Sequence, residues 1–155
     1  MTEGTDNALL ERFEQDIWSK VPHLEEGSET KVVNATPLVD MTADFKECAK
    51  SIFKLNLDDA DLKVFGKMDS TLLTGSIKVR PAANIIHDAI VTGNLKSGQT
   101  VIEATSGNFG IALGLLSKLG LNVIALVSRK LQEGVFEELR NGNTRTIDLD
   151  MDICP

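Results

Sequence analysis

Thr74-Gly-Ser-Ile-Lys-Val-Arg80 and, downstream, Thr105-Ser-Gly-Asn-Phe-Gly110 are the stretches on which the fold turns. The first sets Lys78 between a small-residue turn and an apolar helix pattern. That pattern runs from Pro81 to Thr92, with Ala82, Ile85, Ile86, Ala89 and Ile90 on one face and Pro81 suited to the first turn. The second is a glycine-punctuated turn between the short strand Thr100-Val-Ile-Glu-Ala104 and an Ala/Leu-rich helix, Gly110 to Leu119, capped by Gly120. Leu121-Asn-Val-Ile-Ala-Leu-Val127 is a continuous apolar run, as expected of a strand buried on both faces. Leu131 to Arg140 is a third helix pattern, and Thr144 to Ile153 alternates Ile147, Leu149, Met151 and Ile153 against aspartates. Strand, helix, strand, helix, strand predicts an α/β fold with a parallel sheet flanked by helices.

Upstream the pattern differs. Asn7 to Lys20 places Leu9, Leu10, Phe13, Ile17 and Trp18 at helical spacing, and Val21-Pro-His-Leu then breaks it. Residues 1–30 read as a helical arm and linker on a tether rather than a core element. Thr36-Pro37-Leu38-Val39 is a turn fixed by proline. Ser51 to Leu57 and Lys63 to Met68 alternate as strands do, with Asp58-Asp-Ala-Asp61 as a hairpin-like connection.

The 155 residues suffice for one domain with a core, and the apolar (42%) and charged (25%) fractions are those of a globular protein. A net charge of −7 with scattered basic residues argues against a nucleic-acid or anionic-membrane partner. No apolar run reaches the roughly 18 residues of a membrane span, and the N-terminus is no signal peptide. Cys48 and Cys154 make neither a disulfide framework nor a zinc spacing, which points to the cytoplasm. Asp148, Asp150 and Asp152 lack the glycine and distal glutamate of a Ca²⁺ loop, and His23 and His87 have no partner in sequence, so no metal site is expected.

Chemistry resides in the two opening stretches. An amine that forms a Schiff base must be reachable and deprotonatable, and burial favours its neutral form. Lys78 follows Gly75 and Ser76, which allow close backbone approach, and it opens a helix whose amides favour an anion. The Thr105 turn offers backbone N–H groups and two hydroxyls to a carboxylate. Taken alone, Lys78 is a solvated lysine and the turn a capped strand–helix junction in which Gly107 satisfies φ > 0.

Together the segments resemble the signature of fold type II pyridoxal-phosphate enzymes of the cysteine synthase and cystathionine β-synthase type. Gly75, Ser76, Lys78 and Arg80 stand where that family has them, whereas Leu72-Leu73 replaces Asn-Pro and Val79 replaces Asp. The resemblance implies that Lys78 is the catalytic, cofactor-binding lysine and that Asn108 touches the cofactor's O3′. It also implies that Thr105, Ser106 and Gly107 bind the substrate carboxylate, with Phe109 as an apolar wall where a threonine is common. Ala104 stands in place of a proline. The expected cofactor is pyridoxal 5′-phosphate. The expected activity is β-replacement or β-elimination on a serine-derived amino acid. A dehydratase or threonine-synthase-like reaction and a non-catalytic binding module stand as alternatives. The resemblance runs from about Val32 to Cys154, roughly the first half of such an enzyme. It divides the chain into part of a large cofactor domain (31–87) and a small mobile domain (88–155). No Gly-rich phosphate loop follows, so either a second polypeptide carrying that half is the expected partner, in a homodimer of the assembled enzyme, or the sequence is a fragment, or the protein is no longer catalytic.

Overall fold

The computed structural model describes residues 4–105 and 107–150. Ser106, Met151, Asp152, Ile153 and Cys154, which figure in the sequence reading, lie outside them. Helix α1 (Asn7–Asp16) passes into a 3-10 turn (Trp18–Lys20), then an antiparallel pair, β1 (His23–Leu24) and β2 (Val32–Val33). Next come β3 (Leu38–Asp40), α2 (Thr42–Phe53) and β4 (Phe65–Lys67), with β3 and β4 antiparallel. Helix α3 (Val79–Val91) leads into β5 (Thr100–Ala104), α4 (Asn108–Gly114), β6 (Asn122–Ser128), α5 (Glu133–Asn141) and β7 (Arg145–Leu149). Strands β5, β6 and β7 form a parallel sheet in that order, joined by helical crossovers as parallel pairing requires.

The first correction concerns α1, which is a core element and not a tethered arm. Leu9, Phe13, Ile17 and Val21 are buried in one cluster with Val79, Ala82 and Ile86 of α3 and Ala112 and Leu113 of α4. The void left between these helices is only about 10 Å³. Polar bonds fix the same segment. Arg12 donates through Nη1 to the Leu119 carbonyl (3.2 Å) and through Nη2 to that of Lys118 (3.0 Å), satisfying carbonyls at a helix end. The Asp6 carboxylate caps α1 through the Leu9 amide (3.0 Å) and also accepts from the Ser97 amide (2.8 Å). The two histidines, unpartnered in sequence, sandwich the single tryptophan. Trp18 stacks on His23 at 4.3 Å and on His87 at 4.4 Å between ring centroids.

Residues 51–53, expected to begin a strand, are the last turn of α2, and Leu55 and Leu57 lie in the connection that follows. Phe45, Ala49 and Ile52 recur at helical spacing, which overrides the short alternation read from Ile52 onward. Lys54 ends the helix in the left-handed region (φ 59°), its amide returning to the Ala49 carbonyl. In α3 the core face holds Ala83, while Ile85, expected there, is exposed. The helix expected from Gly110 begins at Asn108 and tightens to a 3-10 turn over Leu115–Leu119, which Gly120 closes at φ 80°.

Strand β6 was expected to be buried on both faces, and it is buried on one. Val123, Ala125 and Val127 face inward, the latter two against Phe136 and Leu139 of α5. Their neighbours Ile124 and Leu126 are half-exposed on the other face. The register aligns Ile124 with Ile102 of β5, and Leu126 with Ile147 of β7. Glycines let α4 come close to its surroundings. A Cβ on Gly110 would lie 2.6 Å from Thr105 Cγ2, and one on Gly114 2.9 Å from Thr144 Oγ1. The β3–β4 ribbon is less covered, with all three β3 residues exposed.

Two outcomes follow. Phe13→Ala opens a cavity in the α1–α3–α4 core and should cost about 3–5 kcal/mol, read as a lower urea midpoint in Trp18 fluorescence. The amide bonds from Ser97 and Leu9 hold the Asp6 carboxyl below its ordinary value of 3.8. Its stabilising contribution is therefore present above that pH and lost as pH falls through the lower folded-state value. The stability gap between the wild type and Asp6→Ala should be constant near neutrality and narrow below about pH 4, measured by urea titration across pH.

Candidate active site

The lysine turn is built by short local bonds. Gly75 donates to the Leu72 carbonyl (2.7 Å) and sits at φ 66°, where a side chain would strain the backbone. The Lys78 amide donates to Ser76 Oγ at 3.3 Å, and the Lys78 carbonyl accepts from Ala82 (3.2 Å) to open α3. Lys78 itself is exposed, not buried as its expected chemistry suggested. Thr74 Oγ1, in the same turn, is buried and finds no hydrogen-bond partner among the described residues.

Arg80 ties this turn to the preceding ribbon. Its Nη2 pairs with Asp69 Oδ1 and donates to Thr36 Oγ1 at 3.2 Å. Asp69, which sequence reasoning missed, thus joins the Thr36-Pro37 turn to the start of α3. The available signal was a carboxylate in the turn entering a loop that keeps an arginine. A cleft of about 390 Å³ opens beside Arg80, lined by His23, Thr36, Lys67 and Asn84 among others, and Lys78 is not part of its wall.

The second turn leaves the sheet at Thr105, whose amide donates to the Leu126 carbonyl of β6 (2.9 Å). The Thr105 side chain is buried, and its Oγ1 accepts from the amides of Gly107 (3.4 Å) and Gly110 (3.1 Å). That oxygen serves as an internal cap for α4. Gly107 holds φ 147°, a conformation that strains any side chain, and a Cβ there would make a tight 3.3 Å contact with Val135 Cγ1. Asn108 is exposed at the first residue of α4, and Phe109 is half-buried against the main core. Ser106 lies outside the described residues.

Lys78 and Gly107 thus stand at the N-caps of α3 and α4, two helices that pack on each other through Val79, Ala82, Ala112 and Leu113. The arrangement sets an exposed lysine and a glycine turn at the starts of two mutually packed helices.

Comparison with known proteins agrees with this geometry. The family model described as "Pyridoxal-phosphate dependent enzyme" matches residues 31–152. Cysteine synthase of Aquifex aeolicus (strain VF5) is 38% identical over 94 residues, which are 60% of this chain and 26% of that protein. N-(2-amino-2-carboxyethyl)-L-glutamate synthase of Ralstonia nicotianae is 36% identical over 84 residues, 54% of this chain and 25% of that protein. The crystal structure of the O-acetylserine-dependent cystathionine β-synthase from Helicobacter pylori superposes with a TM-score of 0.57 at 25% identity, covering 74% of this chain and 34% of that one. The chain therefore spans about a quarter of the length of the curated relatives it matches. The match over most of its length, on an α/β scaffold with a lysine turn and a glycine turn capping neighbouring helices, makes this chain a member of the pyridoxal-phosphate dependent enzyme family.

Proposed function

We propose that this chain supplies the Schiff-base lysine and the substrate-carboxylate loop of an enzyme that performs β-replacement or β-elimination on a serine-derived amino acid. The phosphate cradle comes from the part of the enzyme that this sequence does not span. The observation that carries this is the placement of Lys78 and Gly107 at the caps of two mutually packed helices within the matched family region.

The residues present fit the reactive end of pyridoxal phosphate. Thr74 Oγ1 is an orphaned buried hydroxyl in the lysine turn, and Gly107 keeps open a space a Cβ would crowd. For the phosphate end the sequence offers no glycine cluster beyond Gly107 to Gly110. Bound, the cofactor supplies an electron sink for negative charge at an amino acid's α-carbon. Lys78, an exposed residue at the start of α3, would hold the cofactor through its amine and would serve as the base toward the α-proton. Thr105, Ser106 and Gly107 would hold the carboxylate, for which the Gly107 amide must leave Thr105 Oγ1, and Asn108 would contact the cofactor. Phe109, half-buried against the core, backs the loop with an apolar wall.

Borohydride reduction of the purified sample with pyridoxal phosphate, followed by peptide mapping, tests the assignment. A pyridoxyl label concentrated on Lys78 and abolished in Lys78→Ala is expected. Label spread evenly over Lys67, Lys78 and other surface lysines, or no label, would favour a module that kept the fold without the cofactor. Gly107→Ala should weaken binding of the amino-acid substrate about tenfold through backbone strain. Labelling of Lys78 should be unchanged, the two being measured by spectral titration and mass mapping.

A further inference from the structure

The cleft of about 390 Å³ beside Arg80 lies apart from both turns of the candidate active site, since neither Lys78 nor Gly107 lines it. Its volume suits a small molecule. The walls are of two kinds. Leu24 of β1 and Val32 of β2 stand opposite one another in the register and are 54% and 48% exposed, and they give the cleft an apolar side. Lys67, Arg80 and His23 form the other side, beside the hydroxyl of Thr36 and the amide of Asn84. Among the described residues no aspartate or glutamate lines it. His23 and Leu24 precede the stretch that the family model matches, 31–152, so one wall is built by a segment outside that match.

We infer that this cleft binds an aliphatic monocarboxylate, its carboxyl group on Lys67 and Arg80 and its hydrocarbon part against Leu24 and Val32. Charge decides the class of ligand. Asp69 offsets Arg80, its ion-pair partner, whereas Lys67 makes no ion pair among the described residues. The excess is thus that of a single lysine, which matches a carboxylate better than a phosphate dianion. Arg80 is not saturated by this chain. Its Nη2 serves Asp69 and Thr36, and its Nε is buried with no hydrogen-bond partner among the described residues. An amino acid fits less well, because its ammonium would meet cations and no carboxylate on the wall. The apolar side selects a ligand with a hydrocarbon body over a bare anion. His23 supplies a reporter, since its ring stacks at 4.3 Å on Trp18, the single tryptophan of the chain. An anion settling beside that imidazole changes the surroundings of the indole.

The full chain is titrated with 4-methylpentanoate at fixed ionic strength, followed by Trp18 fluorescence and by calorimetry. A saturable response is expected, and none with 4-methylpentanamide, which keeps the hydrocarbon and loses the charge. Leucine, which adds an ammonium, and inorganic phosphate, which lacks the hydrocarbon, should each bind about tenfold more weakly or worse. Lys67→Gln, at an exposed strand position, should keep the wild-type circular dichroism and weaken binding about tenfold. Lys67→Arg should restore most of it. Lys118→Gln, exposed and outside the cleft, is the control and should bind as the wild type does. Lys78→Ala should bind normally as well, which separates this cleft from the lysine turn. Loss of binding in Lys78→Ala would put the ligand at that turn and overturn the proposal. Equal binding of the amide or of leucine, or indifference to Lys67→Gln, would overturn it too. A linear response that chloride reproduces would do the same, as the mark of an adventitious ion only.

Discussion

Strand β6 is the element on which the rest depends. It is hydrogen-bonded to β5 on one edge and β7 on the other, and its face carries Val123, Ala125 and Val127 into both apolar clusters of the chain. Because the pairing is parallel, every connection must cross back over the sheet, and α4 and α5 do so on that buried face. The Thr105 turn gains its position from this arrangement. Its amide extends the ladder to Leu126, its hydroxyl oxygen caps α4, and Gly110 admits the threonine methyl at a distance no other residue allows. A loop built in this way is rigid where it leaves the sheet and open where Gly107 and Asn108 begin the helix.

The lysine turn is held by a different kind of force. Val79 anchors it in the α1–α3–α4 core, whereas Arg80, Asp69 and Thr36 secure it through half-buried polar contacts. Half-exposed pairs of this kind contribute little stability but restrict geometry, since the guanidinium can meet a carboxylate and a hydroxyl together in few orientations. Core packing thus sets where α3 begins, and the Arg80 network sets how the preceding turn is presented. Tight packing of α1 against α3 contributes to the same end, because the buried Phe13 leaves that helix no room to shift.

Sequence alone revealed the βαβαβ order, the lysine turn and the glycine turn, since each has a local physical cause. Strands β5 and β6 are short apolar runs bounded by turn residues, Gly120 is a left-handed cap, and Gly107 has a conformation other residues avoid. Helix α2 was not legible, because its exposed Phe45, Ile52 and Phe53 give no stable inward face and blur helical with strand spacing. Docking of α1 was not legible either. Its amphipathic pattern announces that something covers Leu9 and Phe13, but not that the cover lies more than seventy residues away on α3 and α4. The Asp69–Arg80 pair and the histidine–tryptophan stack are long-range for the same reason. Exposure of Lys78 is a property of the whole surface around it and has no local signature.

That exposure bears on the chemistry proposed for Lys78. A lysine that must carry a carbonyl group and then act as a base works best where water is excluded. Here Lys78 is open to solvent, the β3–β4 ribbon is bare, and the sheet carries an aliphatic band on its uncovered face. Apolar surface in water is the driving force for association. For the role proposed for Lys78, that lack of cover is the feature that matters: the amine serves as a base best once water is excluded from it.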